Sequence, residues 1–369
     1  MILIEILQFH SSILNYIEEE ISATHAKNKF SKGEILMQTL YIELIQVIRR
    51  YMKHLLWRIQ ILIAHSSQSL LAKQNLVFTY QLSHLSKKQI CVPRQSLPLD
   101  DICIVMQGPI LYRGNLTLKI CESIIANYPQ VQMILSTWEA DPKYLDKFKK
   151  LGIVVKVCKF PEFPGIGNIN LQITSTREGV NLAVQLGKKF ILKMRTDTWF
   201  SNPDFISLLC EEYLLFGGDD IRGPMIVTSF NTSANIPFSV NDQINFGLSS
   251  QIKKFWSAPL DSRTIADLPY SLKSRNLEEI SRNRLAEVWL VTHFLEKQEI
   301  DYSYDENSYR KVLAAFFVVI DESTLGFIWF KSVLRDSRYL RQSRMKEQNL
   351  SCLTRSQWLE IFRTQQNSS

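Results

Sequence analysis

FILKMRTD, residues 190–197 of this 369-residue sequence, has the pattern of a strand of an α/β sheet. Its first five residues have the mostly apolar character of a buried strand, and Arg195 and Asp197 follow where that strand ends. Polar residues directly after a buried strand are typical of a parallel α/β sheet, in which ligands bind outside the carboxyl ends of the strands. The stretch therefore predicts a sheet and a site at its carboxyl edge.

The chain before this stretch alternates between short apolar runs and helical patterns. We predict a strand at 190–194 and further strands at 102–106, 131–137 and 153–157, with helices at 115–128, 142–151 and 170–186. Strands that alternate with helices of this length form a parallel sheet with right-handed crossovers. The predicted fold class is thus α/β, with a mostly parallel sheet flanked by helices.

Composition divides the chain into three parts. Residues 1–100 show apolar residues at helical spacing and end in the proline-containing run CVPRQSLPLDD, which predicts an N-terminal helical region. Residues 101–330 are the α/β domain, and residues 331–369 form a basic helical C-terminal tail. The segment 49–58 mixes bases with large apolar groups, which fits either a helix at a membrane interface or one packed on protein.

Charge and cysteine usage limit the classes of function. The net charge is +7, but the two ends carry the basic excess and the middle is slightly acidic, which argues against a nucleic-acid enzyme. The six cysteines form no C-x-x-C pair, so we expect reduced thiols in a cytoplasmic protein. The start lacks the basic region of a secretory signal, and charges interrupt every run long enough to span a bilayer.

Residues that suit a phosphate-bearing ligand follow the predicted strands. Gln107 and Gly108 follow the first strand, with Arg113 a little further on, and Ser136 and Thr137 end the second. Glycine lets a ligand approach the backbone, and an arginine can form paired hydrogen bonds to phosphate. A plain turn at 108–109 is the structural alternative.

Common nucleotide and histidine motifs are missing. The pair Gly165 and Gly167 lacks the third glycine of a dinucleotide-binding loop, and the Gly187-Lys188 pair lacks the upstream glycine of a P-loop. Of the six histidines only His293 falls in the α/β part, which argues against triads built on histidine and against histidine-rich metal sites. Chemistry in this domain would use carboxylates.

Five short motifs lie in colinear order over about residues 101–330: IVMQGPI at 104–110, ILSTWE at 134–139, N-x-N-x-Q-x-x-S-T at 168–176, ILKMRTD at 191–197 and PFSVNDQINFG at 237–247. Together they resemble the WavE family of lipopolysaccharide-synthesis proteins. The helix with Arg177, followed by a strand that ends in an acid, resembles nucleotide-sugar glycosyltransferases of the GT-A type. The resemblance implies a GT-A-like, Rossmann-like fold and a role in assembling a cell-surface saccharide.

The GT-A resemblance also implies a divalent cation, Mg²⁺ or Mn²⁺, bridging the two phosphates of a nucleotide-sugar donor. Asp197 would be its ligand, while Arg195 stands where such motifs carry their first acid. Arg195 is the alternative source of positive charge for the diphosphate. Arg177 is a further candidate contact to the nucleotide, or a solvated helix residue.

Inverting transfer of a sugar needs a carboxylate base beside the acceptor hydroxyl. The candidates are Asp242, in a polar loop, and Glu287, on a predicted helix; the alternatives are a turn residue and a solvated helix position. Phe255 and Trp256 are a candidate platform for the acceptor sugar, although adjacent aromatic residues are more often core.

The sequence thus predicts a cytoplasmic glycosyltransferase with a nucleotide-sugar donor and a lipopolysaccharide-core, other saccharide or lipid-linked acceptor, and no nucleic-acid partner. Two alternatives stay open, a nucleotidyltransferase acting on a sugar phosphate and a catalytically inactive scaffold. A basic stripe in the tail is a candidate contact to an anionic membrane surface, with a solvated helix as the alternative; its members are Arg335, Arg338, Arg341, Arg344 and Lys346.

Overall fold

The computed structural model describes residues 97–217, 223–263, 281–283, 286–330 and 351–367. The predicted N-terminal helical region and the basic stripe at 335–346 lie outside these residues. Within the described ranges, each helix is either too short or too polar to cross a bilayer.

A seven-stranded sheet forms the centre of the described part of the chain, in the order β3-β2-β1-β4-β7-β6-β8. Strands β1 to β4 run parallel to one another, β7 runs antiparallel to both β4 and β6, and β6 is parallel to β8. The strands of this sheet are β1 Ile102–Gln107, β2 Gln132–Thr137, β3 Val154–Val157, β4 Phe190–Arg195, β6 Met225–Thr228, β7 Asn245–Leu248 and β8 Phe317–Ile320. The predicted fold class, a mostly parallel α/β sheet, is confirmed.

Helices cover both faces of this sheet. The Cys121 thiol of α1 approaches Met106 on one face, whereas α3 packs on the opposite face, over Val105. The helices are α1 Leu116–Asn127, α2 Pro142–Lys150, α3 Ile169–Gln185, α4 Phe205–Phe216, α5 Ser249–Phe255, α6 Ala286–Lys297, α7 Glu306–Phe316 and α8 Arg355–Gln366.

Gly179 lets helix α3 approach the sheet closely. A Cβ at this position would lie 2.5 Å from Cγ1 of Val105 and 3.0 Å from Cβ of Ser136. Both of these side chains are fully buried, so they have no room to move aside. The small residue at 179 therefore sets the spacing between α3 and strands β1 and β2.

Strands β5 (Thr198–Phe200) and β9 (Phe327–Trp329) form a separate two-stranded sheet just beyond β4. Helix α8, which the sequence assigned to a separate tail, packs on α7 and β8, with Trp358 fully buried. An isolated bridge between Ser233 and Cys352 ties the chain before α8 to the same domain. These late elements complete the α/β domain.

Candidate functional site

The carboxyl ends of the adjacent strands β1 and β4 are joined by hydrogen bonds from the turn after β4. The Thr196 amide donates to the Gln107 carbonyl at 3.0 Å, and the Thr196 hydroxyl donates to the Pro109 carbonyl at 2.7 Å. Gly108 lies against this hydroxyl with φ +121°, and a Cβ on Gly108 would meet it at 3.0 Å. Glycine is thus required where the loops after the two strands touch.

Arg195 and Asp197 form a bidentate ion pair across this turn. Nε and Nη2 of Arg195 donate to the two Asp197 carboxylate oxygens at 2.8 Å and 3.0 Å. The two side chains are only 15% and 7% exposed, and the Arg195 guanidinium lies 5.7 Å from the ring centroid of Trp329. Burial alone would lower the pKa of Arg195, but the Asp197 carboxylate and the charge of Asp242 raise it above its ordinary value.

Asp242 reaches the same edge because β7 runs antiparallel to β4, so that the residues before β7 lie beside the end of β4. The Asn241 side chain fixes the local turn by accepting hydrogen bonds from the amides of Gln243 and Ile244, each at 3.0 Å. Asp242 itself is 4% exposed, and no residue of the described ranges donates a hydrogen bond to its carboxylate. A carboxylate held in this way has its accepting capacity left for a ligand.

Lys193 lies on β4, in register with Val105 and on the same face of the sheet as α3. Its ammonium donates to the Asp242 carbonyl and lies 4.4 Å from the ring centroid of Trp256. Burial lowers the pKa of Lys193 to about 7, with the charge of Asp242 acting in the opposite direction. Lys193 is not among the predicted site residues, although a charged residue inside the apolar run 190–194 is a visible signal in the sequence.

The side chains at this edge do not fit a divalent cation. Both oxygens of Asp197, the predicted metal ligand, accept hydrogen bonds from Arg195, and the Lys193 and Arg195 cations stand where a metal site would need anionic or neutral donors. Across the described ranges, His, Cys, Asp and Glu side chains form no group of three suited to a metal. Arg195 thus occupies the Asp197 carboxylate, and Lys193 adds a second base beside Asp242.

The predicted nucleotide contacts on β1 and β2 are buried. The Ser136 hydroxyl donates to the Ser175 carbonyl of α3 at 2.6 Å, and Thr137 is 1% exposed. Gln107 accepts a hydrogen bond from the Ser175 hydroxyl at 2.9 Å, while its Nε2 is buried without an acceptor in the described part of the chain. The structure brings Gln107 next to Arg195 in register, but Ser136 faces the helix and is not directed at the open edge.

The two predicted phosphate-binding arginines behave differently. The Arg113 side chain lies outside what the structure describes, although its backbone begins the short turn Arg113–Asn115 before α1. Arg177 donates to the carbonyls of Trp256 and Ala258, and burial lowers its pKa. It lines a cleft of about 230 Å³ between α3 and α5, shared with Lys253. As a nucleotide contact, Arg177 stays a prediction.

Asn170 explains one of the motifs that carry the resemblance. Its side chain donates to the Asp261 carbonyl at 2.8 Å and accepts from the Asp261 amide at 2.6 Å, which fixes the chain beyond α5 to the start of α3. The Asp261 carboxylate pairs in turn with Arg263, whose hydrogen bonds lower the pKa of Asp261 against the effect of burial. Glu287 lies in the first turn of α6 as predicted, and its neighbour Ala286 faces Gly167 in the turn Ile166–Asn168.

Phe255 and Trp256, the candidate platform, are core residues, in agreement with the alternative given for them, because both side chains are completely buried. An exposed aromatic ledge lies elsewhere, where β2 and β3 end: Phe160 stacks on Trp138, with ring centroids 4.4 Å apart and planes at 15°. Phe160 is 62% exposed and Phe163, nearby in the same loop, is 57% exposed. The sequence signal for this ledge was the pair of aromatic residues in the loop after the third strand.

The sheet and the polar residues at its carboxyl edge define an α/β protein with its candidate site where the parallel strands end. The sequence model of the family described as WavE lipopolysaccharide synthesis matches residues 102–368, and the chain belongs to this family. No curated protein matches the sequence.

Solved structures with low similarity to the chain include a glycosyltransferase and a cytidylyltransferase. A glycosyltransferase involved in glycosylation of the major capsid of PBCV-1 is 12% identical, with a TM-score of 0.32 over 66% of this chain and 99% of that one. A cytidylyltransferase from Leptospira borgpetersenii is 16% identical, with a TM-score of 0.28 over 50% of this chain and 74% of that one.

Proposed function

We propose that this protein is a glycosyltransferase that moves a sugar from a nucleotide-sugar donor to a lipopolysaccharide-core or other cell-surface saccharide acceptor. Membership of the WavE family supports a cell-surface saccharide as the acceptor. The polar residues at the carboxyl edge of the sheet support the sugar-transfer reaction. Transfer joins an acceptor oxygen to the anomeric carbon, breaks the bond from that carbon to the diphosphate and releases the proton of the acceptor hydroxyl.

The single observation that carries the proposal is the Asp242 carboxylate. It is almost completely buried at the edge and accepts no hydrogen bond from the described residues. A general base must accept a proton from its substrate, and such bases contribute about 10²–10⁴-fold to a rate. In the proposed reaction Asp242 takes the proton of the acceptor hydroxyl as the oxygen attacks. Glu287, at the start of α6, stays the second candidate.

Arg195 is the proposed charge partner of the leaving diphosphate. Asp197 holds its Nε and Nη2, while Nη1 has no acceptor among the residues that the structure describes. A guanidinium whose Nε and Nη2 are held by a carboxylate can still donate a charge-assisted hydrogen bond from Nη1 to a phosphate. We therefore propose transfer without a divalent cation, in which Asp197 orients Arg195.

The ledge of Trp138 and Phe160 is the proposed contact for the base of the donor nucleotide. It lies beyond β2 and β3, on the same side of β1 as the carboxyl edge, and it offers an exposed aromatic face. Stacking on such a face accepts any planar base. The nucleotide would then extend from β3 across β1 toward Arg195.

A screen of the purified protein tests the proposal. The probes are UDP-, GDP- and ADP-sugars, with lipopolysaccharide core oligosaccharide as acceptor and with EDTA or Mn²⁺ added. We expect release of a nucleoside diphosphate together with an acceptor one sugar heavier. Pyrophosphate release from a nucleoside triphosphate and a sugar phosphate would support a nucleotidyltransferase, and no turnover with any probe would support a scaffold. Contact with an anionic membrane surface stays a prediction.

A further inference from the structure

Lys193 is a fully buried base in the middle of a central strand. No carboxylate of the described ranges forms an ion pair with it, so its charge is not neutralised by direct contact. Burying an ammonium without such a partner is costly, and a methionine of similar length would fill the same space at lower cost. Packing alone therefore does not explain a lysine at this position.

The contacts of Lys193 all lead to the turn that carries Asp242. Its ammonium donates to the Asp242 carbonyl and lies over Trp256. The Trp256 indole donates to Oδ1 of Asn245 at 3.0 Å, and Asn245 donates from its amide to the Asn241 carbonyl at 3.1 Å. Asn245 is also the register partner of Lys193 on β7. One network thus joins the lysine to both sides of the Asp242 turn.

We propose that Lys193 is a positioning residue for Asp242, and that its positive charge keeps the Asp242 turn in the conformation in which the carboxylate accepts the proton of the acceptor. This inference rests on the proposed function, since it gives Asp242 the role of base. The ammonium acts through the Asp242 carbonyl and through its field on the carboxylates, and it does not touch the substrate.

The charge of Lys193 is poised to change near neutral pH. Burial lowers its pKa to about 7; Asp242 opposes that shift, Arg195 adds to it, and Asp197 opposes it more weakly. These are the charged groups that act on the ammonium from β4, from the turn after it and from the segment before β7. Above pH 7 the lysine becomes neutral and its field on Asp242 is lost. Transfer by the wild-type protein should therefore decline as the pH rises through about 7.

Titration of Lys193 tests the coupling without any need for transfer activity. Lysine labelled with ¹³C at Cε is incorporated into the full chain, and the Lys193 resonance is followed by NMR from pH 5.5 to 9. We expect a midpoint near 7 that falls by about one pH unit in Asp242→Asn, because a carboxylate that favours the ammonium is removed. Asp146→Asn, which changes an exposed acid paired with Lys149, is the matched control. An unchanged midpoint in Asp242→Asn overturns the inference.

Kinetics supply the second arm. Lys193→Met should lower kcat about tenfold or more, leave KM for the donor within about twofold, and remove the decline above pH 7; Lys193→Arg should retain charge at all pH values and also remove that decline. Lys189→Met, on an exposed lysine, should match the wild type.

A Lys193→Met variant that folds and keeps the wild-type kcat and pH profile overturns the inference. If Lys193→Met does not fold, the titrations of wild type and Asp242→Asn decide alone. Absence of transfer in the wild type contradicts the proposed function, whereas an uncoupled titration contradicts this inference.

Discussion

Arg195 holds both carboxylate oxygens of Asp197, through Nε at 2.8 Å and Nη2 at 3.0 Å, in a turn where both side chains are nearly buried. The pair places a cation where the resemblance to GT-A enzymes implied a metal. A bidentate geometry fixes the plane of the guanidinium and so determines where its remaining nitrogen points. The pair therefore stabilises the fold and orients a group of the site at the same time.

Replacing Asp197 by Asn tests this double role. The change leaves Arg195 buried without its counter-charge, and breaking a buried pair in this way costs about 3 kcal/mol. We expect a clear fall in Tm and at least a tenfold loss of transfer, measured by calorimetry and by product mass. Asp146→Asn breaks an exposed pair and should change the unfolding free energy by less than about 1 kcal/mol. Equal stability of the two variants would show that the Arg195–Asp197 pair is not a structural contact.

Stability should depend on pH through Lys193. The pKa of this lysine falls from its ordinary 10.5 to about 7 on folding, so the unfolded chain binds the proton more tightly between these values. Its contribution is fully present above pH 10.5 and is lost as the pH falls through 7. From pH 7 to 9 the wild type should gain up to about 1.4 kcal/mol per pH unit relative to Lys193→Met. If the urea midpoints of the wild type and Lys193→Met change in parallel from pH 7 to 9, the pKa of Lys193 is not lowered.

Gly179→Ala should destabilise the domain. In an open helix this change would stabilise by about 1 kcal/mol, because alanine is the better helix former. Here the new Cβ meets Val105 at 2.5 Å, and overpacking of this kind costs about 1–3 kcal/mol. We expect the cost of overpacking to exceed the gain in helix propensity, so the denaturant midpoint should fall. A higher midpoint in the variant would mean that α3 moves away from the sheet without cost.

Phe160→Ala tests the ledge. An aromatic stacking pair contributes about 0.5–1.5 kcal/mol, so UDP, GDP or ADP should bind up to about tenfold more weakly by calorimetry. Because Phe160 is 62% exposed, the fold should be unaffected. Leu215→Ala removes an equally exposed apolar side chain from α4 and serves as the control. If the two variants bind all three nucleotides alike, the base does not stack on Phe160.

Alternation of apolar runs with helical patterns was sufficient to predict β1 to β4 and the helices between them, within one or two residues. The direction of β7 was not predictable, because a strand of four residues carries no signal of its own for parallel or antiparallel pairing. That direction is what brings Asp242 to the end of β4. The sequence therefore predicted Asp242 as a site residue, but its position beside the end of β4 follows only from the direction of β7.

The burial of individual polar residues could not be predicted from the sequence either. Ser136 turns its hydroxyl toward α3 because the register of β2 places it on that face of the sheet, a fact fixed only by tertiary packing. Trp256 is buried because its indole nitrogen finds Asn245 as an acceptor. Neither partner is close in sequence, so local patterns could not distinguish a binding residue from a core residue.

Transfer by Asp242→Asn in the presence of EDTA shows whether Asp242 is the base of a transfer that needs no divalent cation. The assay measures release of nucleoside diphosphate and the mass of the core oligosaccharide acceptor with UDP-, GDP- and ADP-sugars, for the wild type, Asp242→Asn and the Asp146→Asn control. We predict that wild type and control transfer the sugar despite EDTA, and that Asp242→Asn loses about 100-fold or more of the rate while keeping its fold. Transfer by Asp242→Asn at the wild-type rate, or wild-type transfer that stops when EDTA is added, would contradict this prediction.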